Sequence, residues 1–151
     1  MADSFERAVR EYLASLGAPE PTVARAVSFT RYWRGVVTVP FDGVFVSEYV
    51  TEAGVREYQN LWLFSPVAAV ECHSFVSAWR ADIATLRLEQ VEVGMTDYQP
   101  GRATAESRMS VQVRFSNDLQ GTFQASGVNC EALQRVIVER FVPKLEVGEI
   151  R

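Results

Sequence analysis

The side chains best suited to hold a ligand form one short run, Arg31, Tyr32, Trp33 and Arg34. Aromatic rings can stack against cations, and a guanidinium group can form two parallel hydrogen bonds to a carboxylate or a phosphate. The run is therefore a candidate binding site for an anionic group or for a peptide carboxylate. The alternative, which we favour from the sequence alone, is an ordinary strand with Trp33 in the core and Arg34 in solvent.

The sequence contains no complete catalytic set. The single histidine, His73, follows Cys72, but neighbouring side chains of a strand point to opposite faces, so we expect structural roles for both. Cys130 lies at the start of a predicted helix, where a thiol pKa can be lowered. We interpret it instead as a small residue of the first turn. We therefore predict no catalytic residues and a protein that is not an enzyme.

Metal and cofactor sites are also poorly supported by the residue spacing. One histidine and two isolated cysteines do not form a spaced ligand set. The glycines are isolated as well, so no phosphate-binding loop is present. The acid pairs Glu52/Glu57 and Glu89/Glu92 are interpreted as solvent-facing strand residues. We predict no metal and no cofactor.

Composition restricts the class of protein and of partner. The chain has 151 residues, which fits one domain, and a formal charge of −4, which argues against broad nucleic-acid binding. No stretch is long and apolar enough for a transmembrane helix, and no signal peptide is recognisable. We expect a cytoplasmic protein with free thiols, although the sequence leaves a pairing of Cys72 with Cys130 open.

The apolar pattern predicts helices only at the two ends of the chain. Residues 3–16 have one apolar stripe, with Asp3 and Glu6 at capping-box spacing and Gly17 as the stop. Residues 18–22, with two prolines, are predicted to be a linker. A second amphipathic helix is predicted from Cys130 to about Val142, capped by Asn129 and ended by Pro143.

Between these helices the pattern predicts about seven strands. Residues 26–34 alternate, Asp42-Gly43 is the strongest hairpin signal, and a second turn is predicted at residues 51–54. The apolar parity changes within residues 83–93, which indicates a β-bulge near Glu89 and Gln90. Asn117-Asp118 separates two further strands, and residues 96–105 form the most exposed-looking loop.

The sequence thus predicts an α+β fold that is mostly β. We expect an antiparallel barrel or strongly curved sheet of about seven strands, with an N-terminal helix and a C-terminal capping helix. The predicted single domain spans residues 1–151, divided into the N-terminal helix (1–18), the β-structure (26–126) and the C-terminal helix (129–143).

Seven strands followed by one amphipathic helix resemble bacterial pleckstrin-homology-like (PH-like) domains. The stretches that carry the resemblance are residues 61–65, 81–83, 111–115, 122–124 and 132–141, within residues 26–142. The N-terminal helix is extra, and the first loop lacks the Lys/Arg-rich pattern of lipid-binding members, with only Arg31 and Arg34 near it. The resemblance implies a binding module rather than an enzyme.

The resulting hypothesis is a non-enzymatic PH-like interaction module that binds a protein or a peptide, with a homo-oligomer among the expected forms. One alternative is a small-molecule carrier or enzyme with a START-like or nuclear-transport-factor-2-like pocket, which requires a cavity of several hundred Å³. A further alternative is a subunit of a phage or secretion assembly.

Overall fold

The structure, a computed structural model, describes residues 4–51, 53–96 and 107–145. Two helices come first, seven strands follow, and a helix ends the described chain. In chain order the elements are α1 (Ser4–Ser15), α2 (Glu20–Arg34), β1 (Gly43–Val50), β2 (Arg56–Phe64), β3 (Ala68–His73), β4 (Arg80–Thr85), β5 (Leu88–Thr96), β6 (Arg108–Phe115), β7 (Gln120–Ser126) and α3 (Asn129–Val136), which continues into a π-helical turn (Ile137–Phe141).

The seven strands form two antiparallel sheets, one ordered β1-β2-β3-β4 and the other β5-β6-β7. The predicted α+β, mostly β class and the number of strands are therefore confirmed. A closed barrel is not shown, because the described strands belong to two separate sheets. None of the described helices has the length and the apolar composition needed to cross a bilayer.

The described residues divide into two compact units. The first unit lies within Met1–Val46 and Tyr58–Ile83, and the second within Ser47–Glu57 and Ala84–Arg151. The first unit contains α1, α2 and most of β2, β3 and β4, and the second contains β5, β6, β7 and α3. The expectation of a single domain stays a prediction.

The first helix forms as its apolar stripe predicts. Val9 and Leu13 lie one turn apart and are fully buried. The helix stops at Gly17, whose φ of +77° is accessible to glycine at little cost. Asp3, the predicted capping residue, lies outside the described residues.

The second helix was not predicted, and it replaces both the linker at residues 18–22 and the strand at residues 26–34. Pro21 lies in the first turn of α2, where a missing N–H group costs nothing, so this proline is compatible with the start of a helix. Val23, Ala26, Val27 and Thr30 are buried at helical spacing. The Thr30 hydroxyl donates to the Ala26 carbonyl at 2.8 Å, which satisfies a buried polar group.

The predicted hairpin at Asp42-Gly43 is also wrong. Residues 37–42 form no strand, and β1 begins at Gly43, so no preceding strand exists for a hairpin. The Asp42 N–H donates instead to the Phe64 carbonyl at 2.8 Å. The turn between β1 and β2 is confirmed, with Gly54 at φ +81° and the Gly54 N–H donating to the Thr51 carbonyl.

The first sheet supplies the floor of the first unit's core. β2 and β3 are antiparallel, with Leu61 opposite Cys72 and Leu63 opposite Val70. These four side chains belong to a core cluster that also contains Leu13 of α1 and Phe29 of α2. The alternate positions of β3 place Glu71 and His73 together on the other face.

The second sheet confirms the predicted irregularity. The predicted strand over residues 83–93 covers the end of β4 and most of β5, which are separated at residues 86–87. The pairing of β5 with β6 shifts between Leu88 and Gln90, at the position of the predicted bulge. Asp118, at φ +66°, lies in the predicted turn between β6 and β7. Most of the predicted exposed loop, residues 97–105, lies outside the described residues.

The last helix exists as predicted, but both of its ends differ. Its N-cap is Val128, and Asn129 is a buried residue of the first turn whose amide donates to Glu48 Oε1 at 3.1 Å. Helix continues through Pro143 to residue 145. The turn before Pro143 is π-helical. A π-helical turn and a proline each leave a backbone carbonyl without its usual α-helical N–H donor, and here they lie close together in the same helix.

Candidate ligand-binding groove

An open groove in the first unit has a volume of about 450 Å³. Its lining comes from the C-terminal half of α2 and from the start of β4 and the residue before it: Phe29, Tyr32, Trp33, Trp79, Arg80 and Ala81. Positions 29, 32 and 33 of a helix share one face, so α2 presents three aromatic rings side by side. The groove therefore has aromatic walls and a cation, Arg80, in its lining.

Trp79 is the most exposed tryptophan among the described residues and is nevertheless held firmly. Its ring stacks on Phe29 with centroids 4.5 Å apart, and the Arg25 guanidinium lies 4.4 Å from the ring centroid. Arg25 is itself fixed, because its Nε donates to the Phe75 carbonyl at 2.5 Å and its Nη2 to the Ala78 carbonyl at 2.7 Å. The indole remains 61% exposed, as a fixed aromatic surface facing solvent.

Tyr32 and Trp33 extend this aromatic surface along α2. The two rings meet edge to face, with centroids 5.3 Å apart and an interplanar angle of 85°. Tyr32 is 64% exposed, whereas Trp33 is half-buried against the core. The interpretation of Trp33 as a strand residue is wrong, but its partial burial agrees with the favoured alternative.

The two arginines of the predicted binding run have a different role. Arg31 Nε lies 2.8 Å from Glu6 Oε1, and Arg34 Nη1 lies 2.9 Å from Glu6 Oε2. The Glu6 carboxylate is buried, so one acid of α1 accepts from two cations of α2. The structure brings Tyr32 and Trp33 into the groove and directs both guanidinium groups to an internal carboxylate rather than to an external anion.

Four lining residues, Phe29, Trp79, Arg80 and Ala81, were missed by the sequence reading. Phe29 shares a helical face with Tyr32 and Trp33, a relation that is visible only when the segment is read as a helix. Trp79 is exposed, whereas Trp62 is completely buried. No sequence pattern indicated Arg80 as a site residue, because its position in the groove depends on how β4 pairs within the sheet.

The cysteines are buried and do not form a reactive centre. Cys72 and Cys130 are both free thiols. Burial, with a smaller effect of the neighbouring Glu71 charge, raises the pKa of the Cys72 thiol. Burial also raises the pKa of Cys130, whose sulfur lies 3.6 Å from the Ala125 carbonyl. Neither thiol is therefore disposed to form a nucleophilic thiolate.

A second, smaller groove of about 160 Å³ lies on the sheet of the second unit. Its lining is mainly polar, and its polar side chains already have partners: Gln90 Nε2 donates to Glu92 Oε1 at 2.6 Å, and Arg114 lies 3.8 Å from Glu89, which is outside the lining. Glu89 and Glu92 are solvent-facing, as predicted. A shallow polar sheet surface of this kind offers little apolar area to a ligand, so the aromatic groove is the stronger candidate site.

Comparison with known proteins identifies no family. No family model and no curated protein matches this sequence. Among solved structures, the chain is similar to the C-terminal domain of an unknown protein from Leishmania infantum, with 8% sequence identity and a TM-score of 0.43. The similarity covers 74% of this chain and 94% of that one. At this TM-score the likeness carries no argument about fold or function.

Proposed function

We propose that the protein is a non-enzymatic interaction module of PH-like type that binds an extended peptide segment of a partner protein in the aromatic groove. Trp79 carries the proposal: the ring stacks on Phe29, has the Arg25 cation against it, and still presents most of its surface to solvent. Fixed aromatic rings at a surface bury a large area on binding and lose little conformational entropy.

The openness of the groove favours a peptide. Trp79 and Tyr32 are each more than half exposed, so an elongated ligand can lie across both rings. Aromatic-lined surface grooves are a recurrent means of binding extended, proline-containing segments. Arg80 supplies a cation in the lining, and it suits an acidic residue or a terminal carboxylate of the peptide. The expected ligand is therefore an extended segment with apolar or proline residues next to a negative charge.

The PH-like type is supported by seven strands followed by one C-terminal helix. The helix α2 departs from that resemblance, since residues 26–34 were expected to be the first strand. A cytoplasmic location is part of the same proposal, and the two unpaired cysteines support it.

Selection of peptides from a random display library tests this function. Peptides enriched on the wild-type protein should bind Trp79→Ala at least about thirty-fold more weakly, because truncation of an aromatic anchor typically costs about 2 kcal/mol or more. Val67→Ala is the matched control, since Val67 is also exposed in the first unit and lies outside the groove. Equal affinity of the peptides for wild type and Trp79→Ala would contradict the proposal.

A small-molecule carrier is the second candidate function, and the volume of the groove favours it. About 450 Å³ lies within the range of roughly 300–1,000 Å³ that is usual for small-ligand sites. Native mass spectrometry of the purified protein is the test. A co-purified mass that Trp79→Ala loses would favour the carrier, and the apo mass alone would argue against it. The assembly-subunit alternative stays a prediction.

A further inference from the structure

The single histidine of the chain lies between two carboxylates in the first unit. His73 Nε2 is 2.8 Å from Asp82 Oδ2 and 3.4 Å from Glu71 Oε1. Glu71 and His73 are two residues apart on β3 and so share a face, while Asp82 comes from β4, the neighbouring strand. One nitrogen and two oxygen donors converge, all within 4.8 Å of one another.

A second layer of contacts fixes the buried carboxylate. Asn60 Nδ2 donates to Glu71 Oε2 at 2.9 Å, which leaves Oε1 as the oxygen nearer to His73. The Asn60 side-chain oxygen Oδ1 accepts from the Ser74 N–H at 3.1 Å, and Ser74 has a φ of +46°, an uncommon conformation for a residue other than glycine. Amide and backbone contacts of this kind orient the ligands of metal sites.

The three side chains differ in solvent exposure, and this difference suits the binding of a cation. Glu71 is almost fully buried, and a buried carboxylate is stable only when positive charge or hydrogen bonds compensate it. The Asp82 side chain is half exposed, which leaves the cluster accessible from solvent. An ion could therefore enter on the Asp82 side and retain water on that side.

We propose that Glu71, His73 and Asp82 form a binding site for a divalent transition-metal ion, zinc in the first instance, with water completing the coordination. Donors about 2.0–2.2 Å from a tetrahedral zinc ion lie roughly 3.3–3.6 Å apart. The separation of His73 from Glu71 already has this value, and the separation of His73 from Asp82 has to increase by roughly 0.5 Å. An imidazole donor among carboxylates favours zinc or a similar ion over calcium and magnesium.

Proton balance is simple at this site. Metal binding uses the lone pair of His73 Nε2, so the ring must be neutral with its proton on Nδ1. The hydrogen bond between His73 and Asp82 is then replaced by two coordination bonds, one from each residue to the metal. A ring that was protonated beforehand releases one proton to solvent. The opposing feature is Arg80, whose positive charge acts on Glu71 and weakens cation binding there.

Calorimetric titration of the full, untagged chain with zinc chloride after treatment with a chelator tests the site. We expect saturable binding of one ion per chain. Asp82→Asn and His73→Asn should each weaken it at least about tenfold, the lower end of the loss seen when even outer partners of a metal site are removed. Asp82 is half exposed, so Asp82→Asn keeps the test valid if His73→Asn does not fold.

Two further variants make the result specific. Asp118→Asn makes the same chemical change at an exposed turn of the second unit and should leave the zinc affinity unchanged. Cys130→Ser should also bind zinc normally, because the thiol is not one of the three ligands. Absence of saturable binding, equal affinity of Asp82→Asn and wild type, or loss of binding in Cys130→Ser alone would each overturn the proposal.

Discussion

Glu48 is a fully buried acid of the second unit, and its partners account for its position. Its Oε1 accepts from the Ser126 N–H at 3.0 Å and from the Asn129 amide at 3.1 Å, and Arg56 Nη1 lies 2.8 Å away. Burial nevertheless raises the pKa of this carboxyl group, because these contacts only partly replace the lost hydration. The residue thus ties β1 and β2 to the start of α3 within this unit.

Truncation of Glu48 should destabilise the protein strongly. We expect Glu48→Ala to lower the free energy of unfolding by about 3–5 kcal/mol, because it leaves the Arg56 charge and two donors without their acceptor. Glu89→Ala is the matched control: it removes the acid of an exposed pair with Arg114 and should cost no more than about 1 kcal/mol. Urea unfolding measures the loss of stability in both variants. Equal losses would contradict a stabilising role of the buried contacts of Glu48.

At the residue scale, the sequence singled out two of the six residues that line the candidate groove. The aromatic and cationic run at residues 31–34 was singled out as a binding site, and two of its four members line the groove. The role of the two arginines could not be predicted, because Glu6 lies 25 and 28 positions away in the sequence. His73 was likewise assigned only a structural role, since Asp82 approaches it through strand pairing and not through sequence spacing.

At the scale of elements, α3 and its π-helical turn depend on a few apolar side chains. Leu133 and Phe141 are completely buried, and the Phe141 ring lies 5.0 Å from that of Phe123 on β7. Ile137, in contrast, is only half-buried. The π-helical turn shifts the face at this point, and Phe141 becomes the main anchor of the C-terminal end.

Phe141→Ala should therefore lower the free energy of unfolding by about 3–5 kcal/mol, as expected for loss of a fully buried phenylalanine. Val138→Ala is the control from the same turn, since Val138 is 66% exposed and its truncation should change stability by no more than about 0.5 kcal/mol. Thermal and denaturant melts compare the two variants. A Phe141→Ala protein as stable as Val138→Ala would contradict the packing described for this turn.

The elements that the sequence predicted well are those with one clear periodicity. The apolar stripe of α1 favours a helix, and the change of apolar parity near the start of β5 favours a strand with a bulge. α2 contains β-branched and aromatic residues, and apolar residues alternate along part of it, so the sequence favoured a strand. Packing of its buried face stabilises the helix instead. Asp42-Gly43 has the chemistry of a hairpin turn, but no strand precedes it.

At the scale of the whole molecule, the prediction of seven strands and a terminal helix is confirmed even though several expected strands changed, among them the strand before Asp42-Gly43, which is absent. The expected strand at residues 26–34 is a helix, and the expected strand at residues 83–93 belongs to two strands. These errors in single elements leave the predicted fold class correct. They place the α2 residues of the candidate site on a strand, however, although these residues belong to a helix. The net charge of −4 gave no indication of the site, because the groove contains a local cation on an acidic chain.

The central claim, that the aromatic groove binds a peptide, makes a distinct prediction for the three tryptophans of the chain. Their side-chain N–H groups give three indole signals in a nitrogen-resolved NMR spectrum. Trp79 and Trp33 line the groove, whereas Trp62 is fully buried and absent from its lining.

Titration with a peptide selected on the wild-type protein is the most direct measurement. We predict that the Trp79 and Trp33 indole signals shift progressively and saturate together, while the Trp62 signal stays in place. Saturable binding that leaves the Trp79 signal unmoved would contradict the account, because the peptide would then bind elsewhere on the molecule.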